Sequence, residues 1–444
     1  FVASAAAITP ALAPDIPSNF ALPTERFDYD KREVMIRMRD GVRLHTVIVV
    51  PRGAENFPII LTRTPYNASK RAERNVSPRM LASLPLGDEV FASDGYIRVF
   101  QDVRGKYGSE GEYVMTRPLR GPLNRSRVDH STDAWDTIDW LVQHVPESNG
   151  RVGMIGSSYE GFTVLMALVS PHPALRAAVP MSPMVDGWRG DDWFHNGAFR
   201  QSNFDYFASQ ITARGEGKKI ARDGYDDYDN FLRAGSADAF AKRYGLDVLP
   251  FWKKIIEHPA YDVFWQGQAL DKIIPNQPLE VPRLIVASLW DQEDMYGALA
   301  TYLATEPKDV ENNKNFLALG PWRHSGVNYD GSGLGPLKFS GDTALEFRRD
   351  VMKPFLDGNL KDGATTPDTP PVFVYETGAN RWRRDEQWPS ACAEGCRFRM
   401  TPLYLGSNGR ASYATPVPND TPYDEYVSDP AKPVPHVPRP VRFE

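Results

Sequence analysis

Three features of the sequence predict an α/β fold with a mostly parallel sheet, helices on both faces and a helical insertion. Between residues 57 and 181, short apolar runs alternate with stretches whose apolar residues fall at helical spacing. One such run, Arg151 to Ile155, leads into Gly156-Ser157-Ser158-Tyr159-Glu160-Gly161, which reads as a strand, a sharp turn and the start of a helix. From Val185 to about Glu280 the β-branched runs give way to Trp188, Trp193, Phe194, Phe199, Phe204, Tyr206 and Phe207 among Asp, Asn and Gln. That composition predicts helices laid over the C-terminal edge of the sheet, where α/β proteins bind ligands.

With 444 residues the chain has room for two or three domains and a large core. A net charge of −6 with both signs interspersed and no basic block argues against a nucleic-acid partner. No stretch approaches the ~20 apolar residues that span a bilayer, so no membrane segment is expected. Residues 1–30, rich in Ala and Pro, read either as a flexible arm or as the end of a secretory signal, with Ala11-Leu12-Ala13 matching a cleavage pattern. Cys392 and Cys396 flank a short loop containing Gly395; with no His nearby they suit a small disulfide better than zinc, which points to a periplasmic or secreted protein.

In chain order, Glu33 to Arg39 sets Val34, Ile36 and Met38 on one face of a strand, Asp40-Gly41 turns the chain, and Val42 to Val50 returns it as a hairpin. Phe57 to Arg63 and Tyr96 to Val103 are further strands, ending in Thr64-Pro65-Tyr66 and Arg104-Gly105. Ala134, Trp135, Ile138, Leu141 and Val142 mark a helix from Ser131 to Val145, with Ser131 or Thr132 as its cap. A helix from the elbow to about Leu168 and a strand from Ala174 to Met181 follow, and the sheet resumes with Pro282 to Leu289 and Asn315 to Leu319. Past Gly363, many prolines and short runs at Pro371 to Tyr375 and Phe398 to Leu405 predict a separate β domain.

A serine on such an elbow is a candidate nucleophile, which needs a base, and the base needs an orienting carboxylate from later loops. Ser158 takes the first role. Asp291 follows one late strand, and His324, among only 8 histidines, follows the next. The backbone N–H of Tyr159 is one oxyanion donor, and Tyr66 is placed to be the second, although a strand-end Tyr also serves as a core aromatic. Asp191 and Asp192 in the insertion, with Glu293 and Asp294 beside Asp291, crowd like charges that a cation would reconcile. A solvated acidic loop or a structural calcium site is the alternative, and the sequence does not choose between Asp191 and Asp192.

Gly156-Ser157-Ser158-Tyr159-Glu160-Gly161, Arg104-Gly105, Leu289-Trp290-Asp291 and Gly320-Pro321-Trp322-Arg323-His324 together resemble the family of Xaa-Pro dipeptidyl peptidases and cocaine esterases, and within it the bacterial α-amino acid ester hydrolases. The resemblance covers roughly residues 30 to 440. It implies an α/β-hydrolase fold with a helical cap and a C-terminal β jelly roll: an arm at 1–30, the hydrolase domain at 31–184 and 281–362, the cap at 185–280, and the start of the jelly roll at 363–444. So few residues past Gly363 fall short of roughly eight strands, so that domain is expected to be truncated. The elbow departs from strict G-x-S-x-G, since Gly161 lies three residues after Ser158.

The family implies a triad of Ser158, Asp291 and His324, oxyanion donors at Tyr66 and Tyr159, and an ammonium-binding set of Asp192, Glu293 and Asp294, with Trp193 and Tyr206 as pocket residues. The implied enzyme needs neither metal nor cofactor. It cleaves α-amino acid esters and α-amino β-lactam amides through an acyl-enzyme, can pass the acyl group to an amine, and works as a homo-oligomer, a tetramer by the family pattern. A dipeptidyl peptidase or aryl-ester hydrolase is the alternative enzyme; a non-catalytic binding module is the alternative of another class.

Overall fold

The computed structural model describes residues 27–210, 217, 219–392, 398–415, 424–429, 431–432 and 438–441, with backbone alone at Phe207 and Cys392. β1 (Tyr29–Arg37) and β2 (Arg43–Pro51) form the predicted hairpin, closed by Gly41 N–H donating to the Met38 carbonyl. β3 (Phe57–Thr64), β4 (Ile97–Asp102), β5 (Ser148–Ser157), β6 (Leu175–Met181), β7 (Arg283–Trp290) and β8 (Asn315–Arg323) follow, then β9 (Val372–Glu376) and β10 (Arg381–Asp385). All ten lie in one sheet, in the order β1-β2-β4-β3-β5-β6-β7-β8-β9-β10. From β4 through β9 every neighbouring pair is parallel, so the chain must cross over between them and helices cover both faces.

α1 (His130–His144) and α2 (Tyr159–Ala167) cover one face, packing Ile138, Leu141, Phe162 and Leu165 onto Ile59, Leu61, Val152 and Met154. The N-cap of α1 differs from the one read in the sequence. Asp129 accepts from Thr132 N–H at 2.8 Å while the Thr132 hydroxyl accepts from Asp129 N–H at 2.9 Å, a reciprocal capping box. Ser131 and Thr132, expected at the cap, lie in the first turn.

Residues 185–280 carry the predicted helical insertion: α3 (Phe204–Gln210), α4 (Asp227–Ala234), α5 (Ala237–Arg243) and α6 (Pro250–Glu257) are among its helices. It has an apolar core of its own, in which Trp193, Phe204, Phe240, Trp252 and Trp265 are buried together. A two-residue ladder, Phe194–His195 with Ala198–Phe199, stands among the helices. α7 (Gly297–Thr305) then connects β7 to β8, and α8 (Lys353–Leu360) lies on the second face with Phe347, burying Phe355 and Leu356 against Ile60, Val179 and Leu284.

Beyond Gly363 the structure corrects the sequence reading. Pro371 to Tyr375, expected in a separate β domain, is β9: it pairs parallel to β8, and β10 returns antiparallel to it, so the main sheet continues to Asp385. Parallel pairing needs a long crossover, and the helical stretch from Thr343 to Leu360 supplies one. Phe398 to Leu405, read as one run, is divided between two small ladders, Ala391–Cys392 with Phe398–Arg399 and Tyr404–Gly406 with Arg410–Ser412. Residues 1–26 of the arm expected at 1–30 lie outside the described residues, whereas Tyr29 and Asp30 open β1; the proposed Cys392–Cys396 disulfide also falls outside them, because Cys396 is not described. Among those residues no helix is long and apolar enough to cross a membrane.

Candidate active site

Ser158 stands between β5 and α2 with φ 63° and ψ −126°, a conformation a non-glycine residue holds only where its surroundings impose it. Two backbone bonds impose it here: Ser158 N–H donates to the Met181 carbonyl at 3.0 Å, and Phe162 N–H donates to the Ser158 carbonyl at 2.9 Å. The shifted glycine spacing also has a steric cause. A Cβ on Gly156 would come within 2.6 Å of the Glu160 backbone, and one on Gly161 within 2.8 Å of the Met181 carbonyl. Gly156 lets the first turn of α2 fold back over the strand, and Gly161 lets that turn sit against the end of β6.

β7 and β8 are parallel neighbours with Trp290 opposite Arg323, so the next residues, Asp291 and His324, leave the sheet side by side. His324 Nδ1 lies 2.9 Å from both Asp291 carboxylate oxygens. One of those oxygens, Oδ1, also accepts from Glu293 N–H at 2.8 Å and Asp294 N–H at 3.0 Å. Burial alone would raise the Asp291 pKa, but the His324 bond and charge and the Glu293 amide hold it below its ordinary value. For His324 burial acts downward, yet Asp291, then Glu293 and Asp192, leave the ring pKa raised.

The candidate nucleophile and candidate base are not hydrogen-bonded to each other among the described residues. Among the described residues the Ser158 hydroxyl donates to Asp294 Oδ2 at 3.5 Å, and His324 Nε2 lies 3.5 Å from Glu293 Oε2. Catalytic hydrogen bonds of this kind are often long without substrate and tighten when it binds.

Tyr66, just past β3, places its hydroxyl 3.1 Å from the Tyr206 hydroxyl, and Ser158 is among the groups that act on its phenol. Burial pushes the Tyr66 phenol far above its ordinary pKa, so it stays a proton donor. The Tyr159 amide belongs to the first turn of α2, where N–H groups have no partner within the helix. The Tyr159 ring points elsewhere, its hydroxyl accepting from Thr116 N–H at 3.2 Å and meeting His130 Nε2 at 3.3 Å. Trp193 is buried in the insertion, its ring centroid 5.9 Å from that of Tyr206.

The two adjacent aspartates separate cleanly. Asp191 accepts four backbone N–H bonds, from Val185 and Asp186 on one oxygen and from Tyr296 and Gly297 on the other, at 2.9–3.0 Å. The Asp192 carboxylate has no hydrogen-bond partner among the described residues. Its backbone sits at φ 44°, with its carbonyl accepting from Arg200 Nη1 at 3.1 Å and from Asn203 Nδ2. Burial, then the Glu293 charge, raise the Asp192 pKa to about 7, against a downward pull from Arg200.

Asp294 is buried, its Oδ1 has no partner, and burial followed by the Asp192 charge drives its pKa well up. With Asp192 and Asp294 each only 3% exposed, a solvated acidic loop does not describe this cluster. Among the described residues no group of three or more His, Cys, Asp or Glu is arranged to hold a metal ion.

Sequence reasoning passed over Arg200 and Asn203, which hold the Asp192 carbonyl, and the pair Arg71–Glu160, joined at 2.9 Å beneath the elbow. For Glu160 a signal was present. A carboxylate in the first turn of a helix otherwise buried all round demands a counter-charge. For Arg200 there was none, because it serves a backbone turn.

The family model for X-Pro dipeptidyl-peptidase (S15 family) matches residues 40–326. Among solved structures, a selenomethionine-labelled α-amino acid ester hydrolase is 64% identical with a TM-score of 0.92, covering 98% of this chain and 71% of that one. An aminopeptidase from the marine sediment archaeon Thaumarchaeota archaeon is 50% identical with a TM-score of 0.88, covering 97% and 69%. The cocaine esterase of Rhodococcus sp. (strain MB1 Bresler) is 28% identical over 425 residues, which is 90% of this chain and 68% of the relative.

Proposed function

Because the chain belongs to the X-Pro dipeptidyl-peptidase (S15) family and is a serine ester hydrolase, we propose that its substrates are acyl compounds with a free α-amino group: α-amino acid esters and β-lactam amides with an α-amino acyl side chain. The observation that carries this reading is a pair of buried carboxylates with unmet acceptors: Asp294, whose Oδ2 takes the Ser158 hydroxyl at 3.5 Å while its Oδ1 has no partner, and Asp192, whose side chain makes no hydrogen bond among the described residues. Like charges held together out of water are costly unless a cation joins them, and a substrate ammonium is such a cation. The 64% identical α-amino acid ester hydrolase structure supports the same substrate class.

In the proposed mechanism the ammonium sits among Asp192, Glu293 and Asp294 and displaces the Ser158 hydroxyl from Asp294 toward His324. Ser158 Oγ attacks the acyl carbon while His324 Nε2 takes its proton, and Asp291 stabilises the imidazolium. The negative charge that develops on the carbonyl oxygen is met by the Tyr66 hydroxyl and the Tyr159 N–H. The alcohol or amine leaves with the proton from His324, giving an acyl-Ser158 ester. Water, activated by the same ring, then releases the acid, or an amine takes the acyl group. Tyr206 and Trp193 wall the acyl side chain. The stretch 185–280 acts as the cap, and no metal or cofactor enters these steps.

A second reading, an aminopeptidase, is favoured by the 50% identical archaeal structure. It shares the ammonium requirement and differs only in the leaving group. A dipeptidyl peptidase would carry its ammonium one residue farther from the reacting carbon; the 3.5 Å between Ser158 Oγ and Asp294 supports an α-ammonium instead. An aryl-ester hydrolase leaves the carboxylates without a purpose, and a binding module leaves the triad without one. A tetrameric assembly and a periplasmic or secreted location belong to the proposal, and light scattering of the purified protein tests the first.

The deciding experiment measures kcat/KM for phenylglycine methyl ester, its deamino analogue phenylacetic methyl ester, phenylglycine amide and a dipeptidyl anilide. The reading requires the first to exceed the second by at least tenfold and the last to be poorest. Equal rates on the two esters would refute it.

A further inference from the structure

The Arg71–Glu160 pair lies outside the triad and the carboxylate set, and each of its ends is chained to one of the two oxyanion donors. Past Tyr66 the chain turns at Asn67, at φ 74°, whose side chain accepts from Lys70 N–H at 3.1 Å and so starts the short helix Ala68–Ala72. The Asp102 carboxylate fixes that helix by accepting from Ala68 N–H at 2.7 Å. Arg71 is on this helix, about one turn beyond Tyr66. Glu160 is the residue after Tyr159, whose amide is the other donor. Arg71 Nη2 donates to Glu160 Oε2 at 2.9 Å, with the Glu160 side chain 3% exposed.

We propose that Arg71 and Glu160 are positioning residues for the oxyanion hole: their ion pair fixes the spacing between the Tyr66 hydroxyl and the Tyr159 amide and neutralises the charge that Glu160 would otherwise direct at the developing oxyanion. The inference rests on the reading of Tyr66 and Tyr159 as oxyanion donors.

Two physical arguments lead to it. Tyr66 and Tyr159 lie on different elements, the end of β3 and the start of α2, so their relative position depends on contacts between those elements. A displacement of about 1 Å in a catalytic geometry can cost on the order of 10²-fold in rate. The second argument is electrostatic. A carboxylate in the first turn of α2 suits the helix dipole, but it stands close enough to Tyr66 to oppose ionisation of the phenol, and it opposes negative charge on a neighbouring carbonyl oxygen in the same way. The Arg71 guanidinium, on a side chain that is one-third exposed, offsets that opposition through its bond to Glu160 Oε2. Glu160 Oε1 and Arg71 Nε have no hydrogen-bond partner among the described residues, so the bond from Arg71 Nη2 to Glu160 Oε2 is the side-chain hydrogen bond that joins the two residues.

A purely structural pair would stabilise the fold without distinguishing a tetrahedral anion from a planar ligand, and the test uses that difference. Arg71→Met, Glu160→Gln, the double variant, Arg71→Lys and Tyr66→Phe are each measured for kcat and KM on phenylacetic methyl ester, for inhibition by benzylboronic acid, for competition by phenylacetamide, and for thermal midpoint. Benzylboronic acid accepts the Ser158 oxygen at boron and places an anionic tetrahedral oxygen in the hole, whereas phenylacetamide stays planar.

In Arg71→Met, which loosens the spacing and unmasks the Glu160 charge, kcat and boronate affinity are expected to fall together by about 10- to 100-fold, and in Glu160→Gln, which only loosens the spacing, by a smaller factor, with KM and phenylacetamide binding within about threefold in both. Arg71→Lys should recover most of the loss, and the double variant should lose no more than the worse single. If either single variant is insoluble, Arg71→Lys and the double variant carry the comparison. The proposal is overturned if boronate and phenylacetamide weaken equally, or if the thermal midpoint falls while boronate affinity holds. If Tyr66→Phe also leaves boronate affinity unchanged, the oxyanion assignment itself fails; a loss confined to Tyr66→Phe rejects the ion pair alone.

Discussion

Replacing Asp192 by asparagine separates substrate recognition from protein stability, because the two should move in opposite directions. The side chain is nearly isosteric, and asparagine tolerates the left-handed backbone at φ 44°. Burial pushes the Asp192 carboxyl from its ordinary value of 3.8 up to about 7 in the folded protein. Between those values the unfolded chain has released a proton that the folded protein keeps. Stability therefore falls as pH rises through that window, and the full penalty is present above it. A rise of this size corresponds to a penalty of about 4 kcal/mol.

Asp192→Asn removes this penalty. Its thermal midpoint should match the parent's near pH 4 and exceed it at pH 8 by about 5 °C. Activity goes the other way, since losing one partner of a buried charged pair costs ~2 to 5 kcal/mol. On phenylglycine methyl ester kcat/KM should fall by about 30-fold to a few thousand-fold, and on phenylacetic methyl ester by less than about threefold. Scanning calorimetry at the two pH values and initial rates on the two esters suffice. A variant less stable than its parent at pH 8, or one that loses both esters equally, would show that Asp192 carries a structural charge and refute the reasoning.

Three further outcomes follow from the geometry. Glu293→Gln removes a negative charge 3.5 Å from His324 Nε2, so the raised pKa of the base should fall and the acid limb of the kcat/KM profile for phenylacetic methyl ester should move to lower pH; an unmoved or rising limb contradicts this. Gly156→Ala drives a methyl against the Glu160 backbone and should abolish fluorophosphonate labelling of Ser158 even in soluble protein, so labelling at the parent rate would count against the steric account of the elbow. Asp129→Ala removes the capping box of α1 and should cost about 1 kcal/mol without changing KM, read as a lower denaturation midpoint.

The sequence made the centre of the sheet legible because each buried parallel strand is a short apolar run followed at once by a helix or a polar loop. Ser158, Asp291 and His324 could be picked out because strand ends determine where the following residues emerge. The margins were harder. β9 is a run of five residues among prolines, and nothing local distinguishes a strand added to the main sheet from the start of a new domain. The cap of α1 was visible in principle, since Asp129 precedes Thr132 by three positions, but a serine and a threonine in the first turn offered competing choices. Asp191 and Asp192 are identical in composition and neighbours in sequence. Only the backbone turn at Asp192 sends one into a ring of amides and leaves the other free, and that turn is held by Arg200 and Asn203 from a later segment.

The four amide bonds to Asp191 also bear on how the site opens. They bind the entry to the insertion, at Val185 and Asp186, to Tyr296 and Gly297, which lead from the Asp291 loop into α7. That stem and the loop carrying the catalytic acid therefore travel as one body, and a lid that swung at its own base would drag Asp291 away from His324. Any movement of the insertion that leaves the acid and base aligned has to arise farther along the chain, and the turn between Phe194–His195 and Ala198–Phe199 is itself tied down, with Asn196 N–H donating to the Arg189 carbonyl at 2.9 Å and Gly197 N–H to the Trp188 carbonyl at 3.4 Å.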